Sequence, residues 1–248
     1  MKRIKKDEVH VVNQPKHSIM SFVFVDPTRR GKNLNSFMSN SHNTTLELAE
    51  ETDVMFIFKN IEGIDPDVFS KLYGASSWII TKGNLARTYI KALSYAIIIF
   101  KDPVGFLTWD TADFEYRLID MELIRAVAGS SLSWPIFEAK HLDSDEMYNI
   151  YAKDNTLWSW WTWGQKINKP DREYTTWKMT SNVAFFRPSL FSKLSTLSEE
   201  YIDSFTWNHI RYFLGSACEY LGVKRLGYSL NELNVNKIAD YVDAERKE

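Results

Sequence analysis

The chain of 248 residues is 44% apolar and 25% charged, and 30 Lys+Arg against 32 Asp+Glu leave a formal charge of −2. That balance excludes a protein whose main task is coating nucleic acid, because such affinity comes from clustered Lys and Arg neutralising phosphates; a local basic patch stays open. The single cysteine, Cys218, excludes an intramolecular disulfide, a cysteine-rich zinc site and an iron–sulfur cluster, and fits a reducing, cytoplasmic setting.

In chain order, the start Met1-Lys2-Arg3-Ile4-Lys5-Lys6 is basic, and no apolar stretch follows that would make it a secretory signal. Residues 1–17 are expected to be a flexible basic segment, with the tails Met1 to Asp7 and Asp243 to Glu248 solvated. Residues 18–240 are expected to form a single domain with two halves, about 18–115 and about 116–240. The first buried element is the β-branched and aromatic run Ile19 to Val25, ended by Asp26-Pro27. A short helix over Gly31 to Asn40 follows, then a second apolar strand, Val54 to Phe58, closed by Lys59-Asn60.

Asp65-Pro66-Asp67 reads as a helix start, with Pro in the first turn and acidic residues at the positive end of the helix dipole, and Gly74 as its stop. Ser77-Trp78-Ile79-Ile80 is a third strand. Asn84 caps a long helix in which Leu85, Tyr89, Ala92, Leu93 and Ala96 recur at three- and four-residue spacing. The longest apolar run, Ala96 to Phe100, is far too short to span a bilayer, so no transmembrane segment is expected. Val104 to Trp109 is a fourth strand that delivers Asp110.

Solid apolar strands alternating with helices imply a mostly parallel sheet covered on both faces, which is an α/β, Rossmann-like class. Ligands of such sheets sit at the carboxyl ends of the strands, so Asp26, Lys59-Asn60, Thr81-Lys82-Gly83 and Asp110 are expected along one edge. Beyond Asp110 the expected elements are helices over Ile119 to Ala128 and Ser144 to Tyr151 and a strand over Leu132 to Phe137. After an aperiodic stretch, a strand over Val183 to Phe186 and helices over Pro188 to Leu197 and Trp207 to Leu221 follow.

Trp109-Asp110-Thr111-Ala112-Asp113 places two carboxylates just after a strand. Two hard oxygen ligands at a strand end can share Mn²⁺ or Mg²⁺ with a diphosphate; equally, Asp113 with Glu115 suits the first turn of a helix with no metal. Arg29, Arg30 and Lys32 can hold phosphate or stay solvated. Trp158, Trp160, Trp161 and Trp163 cannot all point inward from one strand, which leaves stacking on a sugar or base, a partner-binding patch, or a lid over the core. His209 can act as a base, complete a metal shell, or pack structurally beside Trp207 and Tyr212; Asp143, Asp145, Asp171 and Glu173 compete as bases. No paired-glycine dinucleotide fingerprint, phosphate-loop lysine motif or glycine-flanked serine nucleophile is present.

Four segments then fall in a familiar order: Pro27-Thr28-Arg29-Arg30 with Leu34; Lys82-Gly83-Asn84-Leu85-Ala86-Arg87 with Ala92 and Ala96; Asp110-Thr111-Ala112-Asp113; and Asn182 to Arg187 with Leu190-Phe191. Together they resemble the nucleotide-sugar-dependent glycosyltransferases of the GT-A fold, particularly the large inverting family two, over roughly residues 18–225. The resemblance implies transfer of a sugar from a nucleotide diphosphate donor to a hydroxyl acceptor on a glycan, a small molecule or a modified DNA base. It places Asp26, Pro27, Thr28, Arg30, Arg87 and Asp110 at the nucleotide and Asp110 and Asp113 on the metal, with Asp113 also a catalytic candidate; the residues themselves add Trp158, Trp160, Trp161 and Trp163 at the acceptor and His209 as the candidate base. The sequence departs from the family in three ways. Asp110 and Asp113 are three apart instead of two, Thr88 follows Arg87 where Asn is usual, and Trp207-Asn208-His209 stands where a carboxylate base is expected. The alternative of another class is a non-catalytic GT-A-like module that binds sugar, nucleic acid or protein.

Overall fold

The computed structural model describes residues 7–25, 45–100, 104–108, 136–141, 177–187, 194, 196–203, 213–214, 217, 221 and 226–228. Among the described residues eight strands form one sheet: β1 (His10–Val11), β2 (Ile19–Val25), β3 (Asp53–Phe58), β4 (Ser77–Ile80), β5 (Val104–Thr108), β6 (Ile136–His141), β7 (Trp177–Phe186) and β8 (Leu226–Tyr228). The described helices are α1 (45–51), α2 (Pro66–Leu72), α3 (Leu85–Ile99) and α4 (Glu199–Asp203), with further helical positions at 213, 214, 217 and 221.

The strand order is β1-β4-β3-β2-β5-β7-β6-β8. Its centre, β4-β3-β2-β5, is parallel, while β1 and β7 run antiparallel to their neighbours and β8 is parallel to β6. The expected α/β class, a Rossmann-like sheet with a mostly parallel centre flanked by helices, is what the chain adopts.

The two-residue side-chain period of the strands sorts the core. Met20, Phe22 and Phe24 of β2, Met55 and Ile57 of β3 and Ile79 of β4 meet Leu85, Ala86, Tyr89, Ala92, Leu93 and Ala96 of α3 in one cluster. The other face carries Phe56, Phe58 and Trp78: Phe56 and Phe58 pack on Phe69, Phe56 also meets Tyr73 at the α2 end, and Trp78 meets Phe58 edge-on. Every residue of β2, β3 and β4 is buried, which is why these strands read as unbroken apolar runs rather than alternating ones.

The helix ends follow their local chemistry. Asp65 Oδ1 accepts from the backbone N–H groups of Asp67 and Val68 at 3.0 and 3.2 Å, with Pro66 in the first turn. Gly74, at φ +67°, closes α2: its N–H donates to the Lys71 carbonyl and that of Ala75 to the Ser70 carbonyl, the paired bonds of a Schellman turn.

The amino-terminal segment differs from the sequence expectation. Residues 1–17 are read as flexible, with Asp7 in a solvated tail, yet from Asp7 onward the chain is docked. The Asp7 N–H donates to the Ile80 carbonyl at 2.7 Å, β1 pairs with β4, and Val12 and Asn13 donate to the Ser76 carbonyl. At the opposite edge the Asp53 carboxylate accepts from the backbone N–H groups of Lys16 and His17 at 2.7–3.0 Å. The strap covers the open edge of β4, held by backbone pairing, the Asp53 carboxylate, His10 stacked on Trp78 and Val9 packed against the core, which is too little apolar surface in residues 7–17 to register as a strand pattern.

Two later strands are also displaced. The strand expected over Leu132 to Phe137 is β6, Ile136–His141, and β7 begins at Trp177, ahead of the expected Val183. The helix expected over Pro188 to Leu197 lies largely outside the described residues; the Leu197 N–H bonds the Leu194 carbonyl, a 3₁₀-type link, before α4 starts at Glu199. The helices expected over Gly31 to Asn40, Ile119 to Ala128 and Ser144 to Tyr151 lie outside the described residues. No helix among the described residues is long and apolar enough to cross a membrane.

Tyr89 and Tyr73 give the core an alkaline sensitivity. Both rings are fully buried; burial pushes the Tyr73 hydroxyl up to about 12 and the Tyr89 hydroxyl well above its ordinary 10.0. A group that holds its proton more tightly when folded stabilises the fold fully below its unfolded value and loses that contribution as pH rises toward the folded value. Stability is therefore expected to fall from about pH 10 upward. Urea midpoints measured from pH 8 to 11 should show this, and Tyr89→Phe should flatten the decline. Among the described residues the Tyr89 hydroxyl has no hydrogen-bond partner, so the same change should also raise stability at neutral pH by about 1 kcal/mol. A Tyr89→Phe protein that is less stable at pH 8 and equally alkali-sensitive would contradict both expectations.

Candidate functional site

The sheet fixes where a site can form. The chain passes from β2 outward to β3 and β4, then returns across β2 to β5, so the connection reverses between β2 and β5. At such a reversal the neighbouring loops diverge and leave a crevice at the carboxyl ends of the strands. Val23 pairs with Thr108, so β2 and β5 end side by side. The same edge continues outward through backbone bonds from Lys59 to the Val25 carbonyl at 3.0 Å and from Thr81 to the Phe58 carbonyl at 2.9 Å. Of the residues expected to gather there, Lys59, Asn60, Thr81, Lys82 and Gly83 do so.

The turn from β4 into α3 is bound tightly. The Gly83 N–H donates to Thr81 Oγ1 at 3.2 Å, and Thr88 Oγ1 lies 3.0 Å from the same oxygen. Asp7 closes the turn from outside: its Oδ1 accepts from the Lys82 N–H at 3.0 Å and from the Thr88 hydroxyl at 2.6 Å, with Lys91 Nζ 3.8 Å from Oδ2. Asn84 Oδ1 then caps α3 by accepting from the Arg87 N–H at 2.9 Å.

Arg87, expected at the nucleotide, stands in the first turn of α3 at this edge. Its guanidinium is engaged by protein carboxylates: Nε and Nη2 donate to Asp203 Oδ1 and Oδ2 at 3.2 and 3.3 Å, and Nη1 to Glu199 Oε1 at 3.2 Å. Those two carboxylates raise the guanidinium pKa above its ordinary value, Asp203 contributing most. The fork geometry is the one arginine uses for phosphate as well as carboxylate.

The remaining candidates, Asp26, Pro27, Thr28, Arg30, Asp110, Asp113, Trp158, Trp160, Trp161, Trp163 and His209, lie outside the described residues. Among the described residues no group of three or more His, Cys, Asp or Glu gathers to hold a metal ion. Reading the sequence missed Asp7, Glu199 and Asp203 as parts of this edge. Asp7 looked like one charge of a tail, and Glu199 and Asp203, 112 and 116 positions from Arg87, carry no local signal of the pairing.

The fold places the chain in the α/β class of Rossmann-like sheets. No family model matches the sequence, and no curated protein matches it. Among solved structures it is similar to a 4-diphosphocytidyl-2C-methyl-D-erythritol synthase, with 11% identity, 86% of this chain and 89% of that chain covered, and a TM-score of 0.47. It is likewise similar to a putative nucleotide-diphospho-sugar transferase from Desulfovibrio desulfuricans G20, with 10% identity, coverage of 86% and 80%, and a TM-score of 0.43. A third is CMP:2-keto-3-deoxy-manno-octonic acid synthetase complexed with CTP, with 10% identity, coverage of 85% and 88%, and a TM-score of 0.48. Likenesses of this size leave activity and substrate to the residues themselves.

Proposed function

We propose that the chain is a nucleotide-binding transferase, and within that class a glycosyltransferase that moves a sugar from a nucleotide diphosphate donor to a hydroxyl acceptor. The observation that carries the reading is the reversal of strand order between β2 and β5, because the chain continues from those two strand ends into Asp26-Pro27-Thr28 and Trp109-Asp110. The first of these segments begins the motif order that resembles GT-A glycosyltransferases, and the second leads into its carboxylates.

In this reading Asp26, Thr28 and Arg30 line the nucleotide pocket, and Arg87 approaches the diphosphate from the first turn of α3. Asp110 and Asp113 would hold Mn²⁺ or Mg²⁺, which when bound supplies positive charge at the departing nucleotide. His209 would accept the acceptor proton, and Trp158 to Trp163 would hold the acceptor by stacking.

The test is a thermal-shift series with uridine, cytidine, guanosine, adenosine and thymidine diphosphates, each with and without Mn²⁺. A ligand that binds only the folded chain at a hundredfold excess over Kd adds about 2.7 kcal/mol to its stability. The expected result is a Mn²⁺-dependent rise in Tm for one nucleotide that is lost in Asp110→Ala. No rise with any nucleotide, with or without Mn²⁺, would overturn the reading.

A further inference from the structure

Arg87 is held more closely than a solvent-facing arginine needs to be. Asp203 takes Nε and Nη2 as a bidentate pair and Glu199 takes Nη1, so three of the guanidinium's donors are spent on α4. Asn84 reinforces the grip: while its Oδ1 caps α3, its Nδ2 donates to Asp203 Oδ1 at 2.8 Å and lies 3.4 Å from the Ile202 carbonyl. The ion pairs nevertheless face water, with side-chain exposures of 38% for Arg87, 82% for Glu199 and 55% for Asp203. Exposed pairs of this kind are weak and screened by salt, so a ligand of denser negative charge can displace them. Ile202, 8% exposed and part of the core cluster, keeps α4 docked while its carboxylates turn away.

We infer that Glu199 and Asp203 form an exchangeable latch on Arg87, occupying the guanidinium fork that a diphosphate group takes when a ligand enters the strand-end edge. The inference rests on the nucleotide reading above for the identity of the ligand, but not for the latch itself, whose chemistry is that of any diphosphate. The carboxylates keep the fork oriented in the empty protein and exclude weak monoanions. Affinity for the ligand is then reduced by the fraction of time the fork is occupied.

The experiment titrates inorganic pyrophosphate and the five nucleoside diphosphates, each with and without Mn²⁺, by calorimetry at low salt, into the wild-type chain, Glu199→Gln, the double variant Glu199→Gln/Asp203→Asn, and that double variant with Arg87→Ala. If the fork is free about one time in ten, the double variant should bind diphosphate about tenfold more tightly, and Arg87→Ala should erase the gain. Glu199→Gln alone changes the most exposed partner and leaves the Asn84–Asp203 bond in place. It should give a smaller gain in the same direction and carries the test if the double variant does not fold.

A tightening seen with pyrophosphate while no nucleoside diphosphate binds any form supports the latch and overturns the nucleotide reading. Equal affinity of wild type and double variant for a bound nucleotide, or a gain that survives Arg87→Ala, overturns the latch and leaves the nucleotide reading standing. Binding of neither probe to any form overturns both.

Discussion

Trp78→Ala is expected to cost about 3–5 kcal/mol, the range for removing a large buried aromatic, and to release the amino-terminal strap with it. The indole is 2% exposed and is held on three sides. Its Nε1 donates to Asp67 Oδ1 at 2.8 Å, His10 stacks on it with ring centroids 3.9 Å apart and planes 8° from parallel, and Phe58 meets it edge-on at 6.5 Å. The substitution thus removes ring area between β4 and α2, deprives Asp67 of a donor, and takes away the surface on which β1 rests. For a domain whose total stability is about 5–15 kcal/mol, the loss should appear as a large drop in urea midpoint. Hydrogen exchange should separate the two consequences. Protection of the Val12 and Asn13 amides, which donate to the Ser76 carbonyl, should be lost under conditions where β2 and β3 remain protected. Trp78→Phe, which keeps a ring but no donor, should fall between. A midpoint change equivalent to less than about 1 kcal/mol for the alanine variant would contradict this account of the α2 face.

What could be read from the sequence here is what local chemistry dictates. β2, β3 and β4 stand out because each is buried on both faces, and α2 and α3 stand out because Asp65-Pro66, Gly74 and Asn84 mark their ends within a few residues. β1 and β8, of two and three residues, are too short for any period to register. The first part of β7 alternates only over Trp177-Lys178-Met179-Thr180 before polar Ser181 and Asn182 break the period, and the register of β6 against it shifts between Phe137 and Glu138. The parallel class follows from the apolar runs, whereas the reversal between β2 and β5 is set by crossovers that leave no mark on any one segment.

The candidate site divides along the same line. The gathering of Lys59, Asn60, Thr81, Lys82 and Gly83 at the strand ends was legible, because these strands close on polar or charged residues and the sheet class fixes the edge. The state of Arg87 was not. A sequence can place an arginine in the first turn of a helix, but the carboxylates that occupy it come from α4 beyond β7, and their arrival depends on Ile202 docking against α3 and the core. Asp7 makes the same point from the other end of the chain, reaching Lys82 and Thr88 only because β1 runs antiparallel along β4.

Gly105→Ala is expected to destabilise the junction between the parallel and antiparallel parts of the sheet by about 1–3 kcal/mol. Gly105 pairs with Phe186 across β5 and β7, and a methyl group added there would lie 2.7 and 2.8 Å from two carbons of the Phe186 ring. A flexible surface ring would swing aside, but Phe186 is 0% exposed and stacks on Phe22 at 6.3 Å, with the α3 cluster on the same side. The ring or the strand spacing must give way, and interiors at native packing density resist both. A double-mutant cycle tests the cause. Phe186→Leu alone should be destabilising because it leaves unfilled space, yet combined with Gly105→Ala it should cost clearly less than the sum, since the shorter side chain makes room for the methyl group. Additive losses would show that the clash is not the source of the destabilisation. Because β5 runs next to β2 at the reversal, an unfavourable coupling that spreads to the strand ends should also weaken whatever binds in the crevice, while leaving the far edge, β1 on β4, as protected from exchange as in the parent.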